Sequence, residues 1–310
     1  MNLSRKINWV PIVAAMMLLA SGSAAGKPAV FVSISPQKYF VQQIGKNLVD
    51  IQVLVQPGAS PATYEPKPRQ MAAIAKAHIY FSIGVPFENV WLKKIASSNP
   101  NMMVVQTDHG IQKTPMVDHH HFGQDEDYQT TGQQHRNEGG QDKNQRGLGI
   151  LDPHIWLSPP LVRFQARKIL VALQKVDPVH RSDYEANYKA FLSEISKLDA
   201  EIRNIFSGKQ GLQFMVFHPA WGYFADTYGL KQIPVEIEGK NPKAAQLKQL
   251  IEYANQNDIN VIFVQPQFSA KSAEVIARGI GGQVVFADPL AEEWSANLRK
   301  VARAIKAALR

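Results

Sequence analysis

Residues 178–206 read PVHRSDYEANYKAFLSEISKLDAEIRNIF, the longest periodic segment in the sequence. Tyr184, Tyr188, Phe191, Ile195, Leu198, Ile202 and Ile205 recur at steps of three or four residues, which lays one apolar stripe along a continuous helix. Asp177-Pro178 is a start signal and Ser207-Gly208 a stop signal. At a rise of 1.5 Å per residue the helix is about 40 Å long, enough to run down the whole molecule. What lies on either side of it settles the architecture. Upstream, residues 29–35, 49–55, 79–83 and 102–106 read as strands, separated by helical stretches at 37–45, 66–77 and 87–96. Downstream, 214–217, 233–237, 261–264 and 284–286 read as strands, with helices at 221–228, 242–256, 270–280 and 292–309. Alternation of this kind predicts an α/β protein of two similar (β/α)4 lobes with parallel sheets, joined by one long backbone helix.

The chain has 310 residues, 34 basic against 26 acidic side chains, a net charge of +8, and 45% hydrophobic residues. That is enough for a large core, and the length suggests two lobes. There is no cysteine, which excludes disulfides, thiolate metal sites, cysteine nucleophiles and a lipidated N-terminal cysteine. Arg5 and Lys6, an apolar run over 10–20 and the small residues Ser23, Ala24 and Ala25 read as a secretory signal peptide cleaved near Ala25. The run is too short to be a membrane span, so the expectation is an exported, soluble protein and not a lipoprotein. The expected parts are a signal peptide at 1–25, a first lobe at 26–176, the linking helix at 177–206 and a second lobe at 207–310.

One segment fits neither lobe. Residues 116–146 hold four histidines, His119, His120, His121 and His135, with six acidic against three basic side chains and almost no aliphatic residues. Such a composition buries too little apolar surface to offset its ordering entropy, which predicts a disordered loop.

Three polar side chains adjoin a proline at chain turns, His154 after Pro153 and His218 and Asp288 before Pro219 and Pro289. His154 lies in LDPHIWLSP, between a loop and a helix opened by Ser158-Pro159; His218 lies in FMVFHPAW and Asp288 in VVFADP, each at the end of a strand. Ligands of open α/β sheets bind outside the carboxyl ends of strands. Two imidazoles and a carboxylate brought there from different elements suit a divalent metal, and this donor mixture favours zinc over magnesium or calcium while admitting other transition metals.

The passages PGASPATYEP (57–66), DPHIWLSP (152–159), FHPAW (217–221) and DPL (288–290) resemble the metal-binding solute-binding proteins of ABC transporters, particularly the zinc-uptake type, across nearly all of the sequence after residue 25. The resemblance implies a metal site in the cleft between the lobes and a His- and acid-rich loop in the first lobe. It implies His154, His218 and Asp288 as ligands of a transported Zn2+. It further implies a periplasmic protein, monomeric and without enzymatic activity, that delivers zinc to a membrane permease and its ATPase. One position departs from the pattern: Ala62 stands where the family has histidine. Water, Glu65 three residues on, or a loop histidine are the alternatives for the fourth place, and reduced affinity with a changed ligand is another. His119, His120, His121 and His135 form a second, looser metal-binding region. A secreted zinc hydrolase is the rival reading, since two histidines, an aspartate and water make a catalytic-looking shell. Neither His-Glu-x-x-His nor Gly-x-Ser-x-Gly occurs to support it. A metal-binding adhesin or storage protein is a third. The diffuse basic excess and the exported location argue against nucleic-acid binding.

Overall fold

The computed structural model describes residues 26–116, 151–237 and 240–309. The first lobe runs β1 (Ala29–Val32), α1 (Ser35–Gly45), β2 (Asp50–Val53), α2 (Pro68–Ile74), β3 (Ile79–Ser82), α3 (Pro86–Ser98) and β4 (Met103–Gln106). Two long helices follow, α4 (Pro159–Val176) and α5 (Arg181–Ile205). The second lobe runs β5 (Gln213–Val216), α6 (Gly222–Tyr228), β6 (Lys231–Pro234), α7 (Ala244–Gln256), β7 (Val261–Val264), α8 (Lys271–Gly279), β8 (Gln283–Phe286) and α9 (Trp294–Ala308). Proline in the first turn of α1, α2, α3 and α4 presets the helical φ where no backbone donor is needed.

The two sheets are parallel and share one strand order, β2-β1-β3-β4 and β6-β5-β7-β8. Ala29 pairs with Asp50 and Val30 with Ile79 in the first; Gln213 pairs with Lys231 and Met215 with Ile262 in the second. The inner strands β3 and β7 are buried at every position, as the apolar runs IYFS and VIFV require of strands covered on both faces. The chain changes direction across each sheet between β1 and β3, and between β5 and β7. Such switch points open a crevice at the carboxyl ends of the strands.

The expected linking helix is present as α5, at 25 residues, preceded by a separate 3-10 turn at Pro178–His180. The break has a side-chain cause. Asp177 Oδ2 receives both His180 Nδ1 and the Tyr184 hydroxyl at 2.7 Å, which ties the turn to the first coil of the helix. Tyr184, Phe191, Ile195, Leu198 and Ile202 form its buried stripe, and the helix packs on α1, α4 and α9. Ile195 is fully buried, so Ile195→Val is expected to cost about 1 kcal/mol, read as a lower urea midpoint with unchanged slope.

α9 crosses back to the first lobe. Trp294 packs edge-on against Phe40 of α1 at 5.1 Å and near Phe191 of α5, and its indole N–H donates to Trp156 O at 2.7 Å. In return the Trp156 indole N–H donates to Pro289 O at 2.7 Å. One buried apolar cluster therefore runs through both lobes, while a smaller one lies under α7 and α8. Among the described residues no helix is long and apolar enough to cross a membrane.

Candidate metal centre

The second lobe places its polar residues by a simple rule of position. His218 stands two residues past the end of β5, Glu236 two past β6 and Asp288 two past β8. Each strand thus delivers one side chain to the cleft edge just after its ladder ends. From the other side, the 3-10 turn Ile155–Leu157 ahead of α4 presents His154.

His154 and His218 meet across the cleft, their ring centroids 5.3 Å apart and the planes inclined at 70°. Each ring is held by a carboxylate. Asp152 Oδ1 lies 2.6 Å from His154 Nδ1 and also accepts the His154 backbone N–H at 2.9 Å. Glu236 Oε1 lies 2.6 Å from His218 Nδ1. A carboxylate acceptor fixes the proton on Nδ1 and leaves the Nε2 lone pair free for a metal. Aromatic neighbours fix the remaining freedom: Phe268 stacks on His218 at 5.0 Å and Trp156 packs on His154 at 5.1 Å. Burial pushes His154 below the ordinary imidazole range, against the opposing pull of Asp152, so its ring is neutral at pH 7. A neutral ring is the form that coordinates.

The two rings line a cavity of about 460 Å3 between the lobes, walled by Pro61, Ala62, Val85, Met116 and Phe268 among others. Glu236 is buried, and its Oε2 has no hydrogen-bond partner. Asp288 is not on this cavity. It lines an adjoining pocket of about 90 Å3, and its Oδ1 accepts Gln267 Nε2 at 3.0 Å and the Leu290 N–H at 2.9 Å. Gln267 and Leu290 line both spaces and separate them. Among the described residues no group of three His, Asp or Glu is placed to hold a metal.

The structure therefore joins His154 with His218 and sets Asp288 apart. Ala62 faces the cavity, whereas Glu65 is exposed and is not part of its wall. The chain between them is pinned by Tyr64, which donates to Gln70 Oε1 at 2.7 Å and packs against Phe87, and this pinning leaves the Glu65 carboxylate outside. Glu65 therefore stands outside the cavity wall in this structure. His119, His120, His121 and His135 lie outside the described residues. The residues missed from sequence are the two carboxylates. Asp152 carried a signal, two residues ahead of His154 in the same turn; Glu236 was hidden inside an apolar run.

The first-lobe wall has its own support. Glu88 of α3 is buried and accepts the N–H groups of Ile83 and Gly84 together with the Ser33 hydroxyl. It thereby holds the β3–α3 turn, whose Val85 and Pro86 face the cavity. Gly84 takes φ +82 under the Lys113–Asp108 ion pair, and a Cβ there would run into both side chains.

A model of the family described as ZnuA, zinc-uptake complex component A periplasmic, matches residues 30–308. The high-affinity zinc uptake system protein ZnuA of Bacillus subtilis is 27% identical over 268 residues, covering 85% of this chain and 79% of that protein. The zinc-binding protein AdcA of Streptococcus pyogenes serotype M3 is 25% identical over 271 residues, 86% of this chain, and this chain spans about half, 51%, of its length. Among solved structures, the crystal structure of a ZnuA superposes with TM-score 0.78 at 42% identity, covering 91% of this chain and 98% of that one. A ZnuA deletion mutant with zinc bound gives the same TM-score of 0.78 and identity of 42%, over 91% of this chain and 97% of that one.

Proposed function

The chain belongs to the family of periplasmic zinc-uptake component A proteins, and on that premise we propose that it captures Zn2+ between its lobes outside the cytoplasm and hands it to an ABC-type permease. The family is one of solute-binding proteins and not of enzymes, which removes the support for a secreted hydrolase. The observation that carries the reading is the pair of facing imidazoles, each anchored through Nδ1 by a carboxylate, at the switch-point crevice between the lobes. His154 and His218 supply two nitrogen donors to the metal. Asp288 is the further protein donor, reached from the adjoining pocket when its bond to Gln267 is released.

The ligand choice has a physical basis. Imidazole nitrogen suits zinc, and oxygen-seeking magnesium and calcium are poorly served by two ring nitrogens. Protons compete with zinc for the same Nε2 lone pairs, so zinc is released as the pH falls, and the depressed pKa of His154 moves that competition to more acidic solution. The anchoring carboxylates act at one remove. Asp152→Ala and Glu236→Ala are each expected to lower zinc affinity about 10- to 100-fold while leaving both donors in place, measured by competition with a chromophoric chelator. Delivery is tested in a bacterium lacking its own zinc solute-binding protein but retaining the permease. Restored growth at limiting zinc by this chain, and none by His154→Ala, supports the proposal; equal growth with both contradicts it.

A further inference from the structure

The four strands of the second lobe are not used alike. His218, Glu236 and Asp288 stand two residues past β5, β6 and β8, whereas the equivalent place after β7 is Pro266, with Gln265 and Gln267 on either side of it. β7 lies between β5 and β8 in the sheet, so its loop reaches the donors of both neighbours. Gln265 is buried; its Oε1 accepts the His218 N–H at 3.2 Å and its Nε2 donates to His218 O at 2.6 Å, which carries the β5–β7 pairing past the Phe217 N–H bond to Phe263 O. With Phe268 stacked on the ring at 5.0 Å, His218 is fixed at the cavity. Gln267 acts on the other neighbour and in the opposite sense. Its Nε2 donates to Asp288 Oδ1 at 3.0 Å, and the same oxygen accepts the Leu290 N–H at 2.9 Å. Because Gln267 and Leu290 line both the cavity and the pocket of Asp288, these two bonds keep the carboxylate in its own pocket and away from the imidazoles. Asp152 and Glu236 bind ring nitrogens that a metal does not need, whereas Gln267 binds an oxygen of the donor group itself.

We propose that Gln267 is a positioning residue that competes with zinc for Asp288, holding the carboxylate beside the empty cleft and giving it up to the metal. This rests on the zinc-capture reading above and on Asp288 as the third protein donor beside His154 and His218. The charge on the acceptor strengthens the amide bond, and a donor available for only about one-tenth of the time lowers the apparent affinity about ten-fold. Release is the other side of the same exchange. When Asp288 returns to Gln267, zinc is left on two imidazoles, so a carrier that must hand over its cargo has a step by which the site loosens without unfolding. Only coordination and hydrogen bonds are exchanged, and no proton moves.

The test compares the parent chain with Gln267→Leu, which keeps the size of the side chain and removes the donor, by chelator competition for zinc and by the rate of zinc loss to excess chelator. Gln267→Leu is expected to bind zinc about ten-fold tighter and to lose it correspondingly more slowly. Gln267→Asn, whose amide is one methylene shorter, is expected to follow it. Asp288→Ala is expected to bind more weakly than the parent, and adding Gln267→Leu to it to change the affinity by less than about two-fold. Cobalt(II) in place of zinc is expected to give the same visible spectrum in Gln267→Leu as in the parent, since the donors are unchanged, and a different one in Asp288→Ala. Equal or weaker zinc binding by both Gln267 variants, or the same gain with and without Asp288, overturns the proposal and leaves zinc capture standing. Unchanged affinity in Asp288→Ala overturns it together with the third donor. No zinc bound in any sample overturns zinc capture as well.

Discussion

His218→Ala is expected to weaken zinc binding roughly 100- to 1000-fold. The size follows from dividing the ~10–16 kcal/mol of a four-donor zinc site among its ligands, about 3–4 kcal/mol each. His154→Ala is expected to match it, because the two rings face each other at 5.3 Å as one site. His78 and His109 serve as internal controls. His78 Nδ1 accepts the Ala29 N–H at 3.0 Å, and His109 reaches Lys168 only through its backbone carbonyl. Replacing either is expected to leave zinc affinity within about two-fold. Chelator competition on the four variants reads both expectations together. Equal loss from a control and from His218 would show that histidine content, and not the cleft, holds the metal.

The second large effect concerns Glu88 and has opposite signs in two variants. Glu88→Ala is expected to destabilise the fold by about 4 kcal/mol or more, because Ile83 N–H, Gly84 N–H and the Ser33 hydroxyl lose their acceptor at ~1–3 kcal/mol each. Glu88→Gln keeps an acceptor toward the turn and an amide donor toward Ser33. Burial raises the Glu88 carboxyl from 4.5 to about 7, partly offset by its hydrogen bonds to Ser33, Gly84 and Ile83. A carboxyl raised in the folded state holds its proton there more tightly than in the unfolded chain. Its contribution is therefore full below pH 4.5, declines as the pH rises, and is gone above about 7. The displacement corresponds to about 3 kcal/mol. Glu88→Gln removes that decline, so at pH 8 it is expected to be more stable than the parent, and near pH 4.5 equal to it. His154 tilts the other way, since its depressed pKa withdraws stability as the pH falls below the ordinary imidazole range. Denaturant midpoints at the two pH values, taken on the parent and both variants, separate the Glu88 contribution from that of His154.

The fold was legible because its two signals are strong. Short apolar runs mark each strand and one long 3.6-residue stripe marks α5, and among the described residues the eight strands overlap those runs. The error at β6 is instructive. The run IPVEI suggested a strand over 233–237, whereas the ladder covers Lys231–Pro234. Val235 and Glu236 are buried past the ladder, Val235 in the smaller apolar cluster and Glu236 on the cavity wall, so apolar character outlasts the strand. Read as a strand residue, Glu236 lost its place among the side chains that stand two positions beyond a strand end, and the anchor of His218 went unseen. The course of α9 was equally hidden. Its amphipathic pattern shows that one face is buried, but only packing shows Trp294 seated against Phe40 and Phe191 of the other lobe.

At the site, sequence located the two histidines because proline follows His218 and precedes His154 at turns where a strand or loop must stop. It gave no means of telling that Asp288 would be bonded to Gln267, twenty-one residues earlier, and face a different pocket. Nor does local sequence reveal that Tyr64 turns Glu65 away from the cavity. Both depend on contacts between segments distant in the chain or on the anchoring of one side chain in a core.

The most direct test is a crystal of the chain grown with one equivalent of zinc, with diffraction measured just above and just below the zinc absorption edge. A single anomalous peak that vanishes below the edge is predicted between His154 Nε2 and His218 Nε2. A zinc peak elsewhere on the molecule, with the space between those two nitrogens empty, would contradict the account.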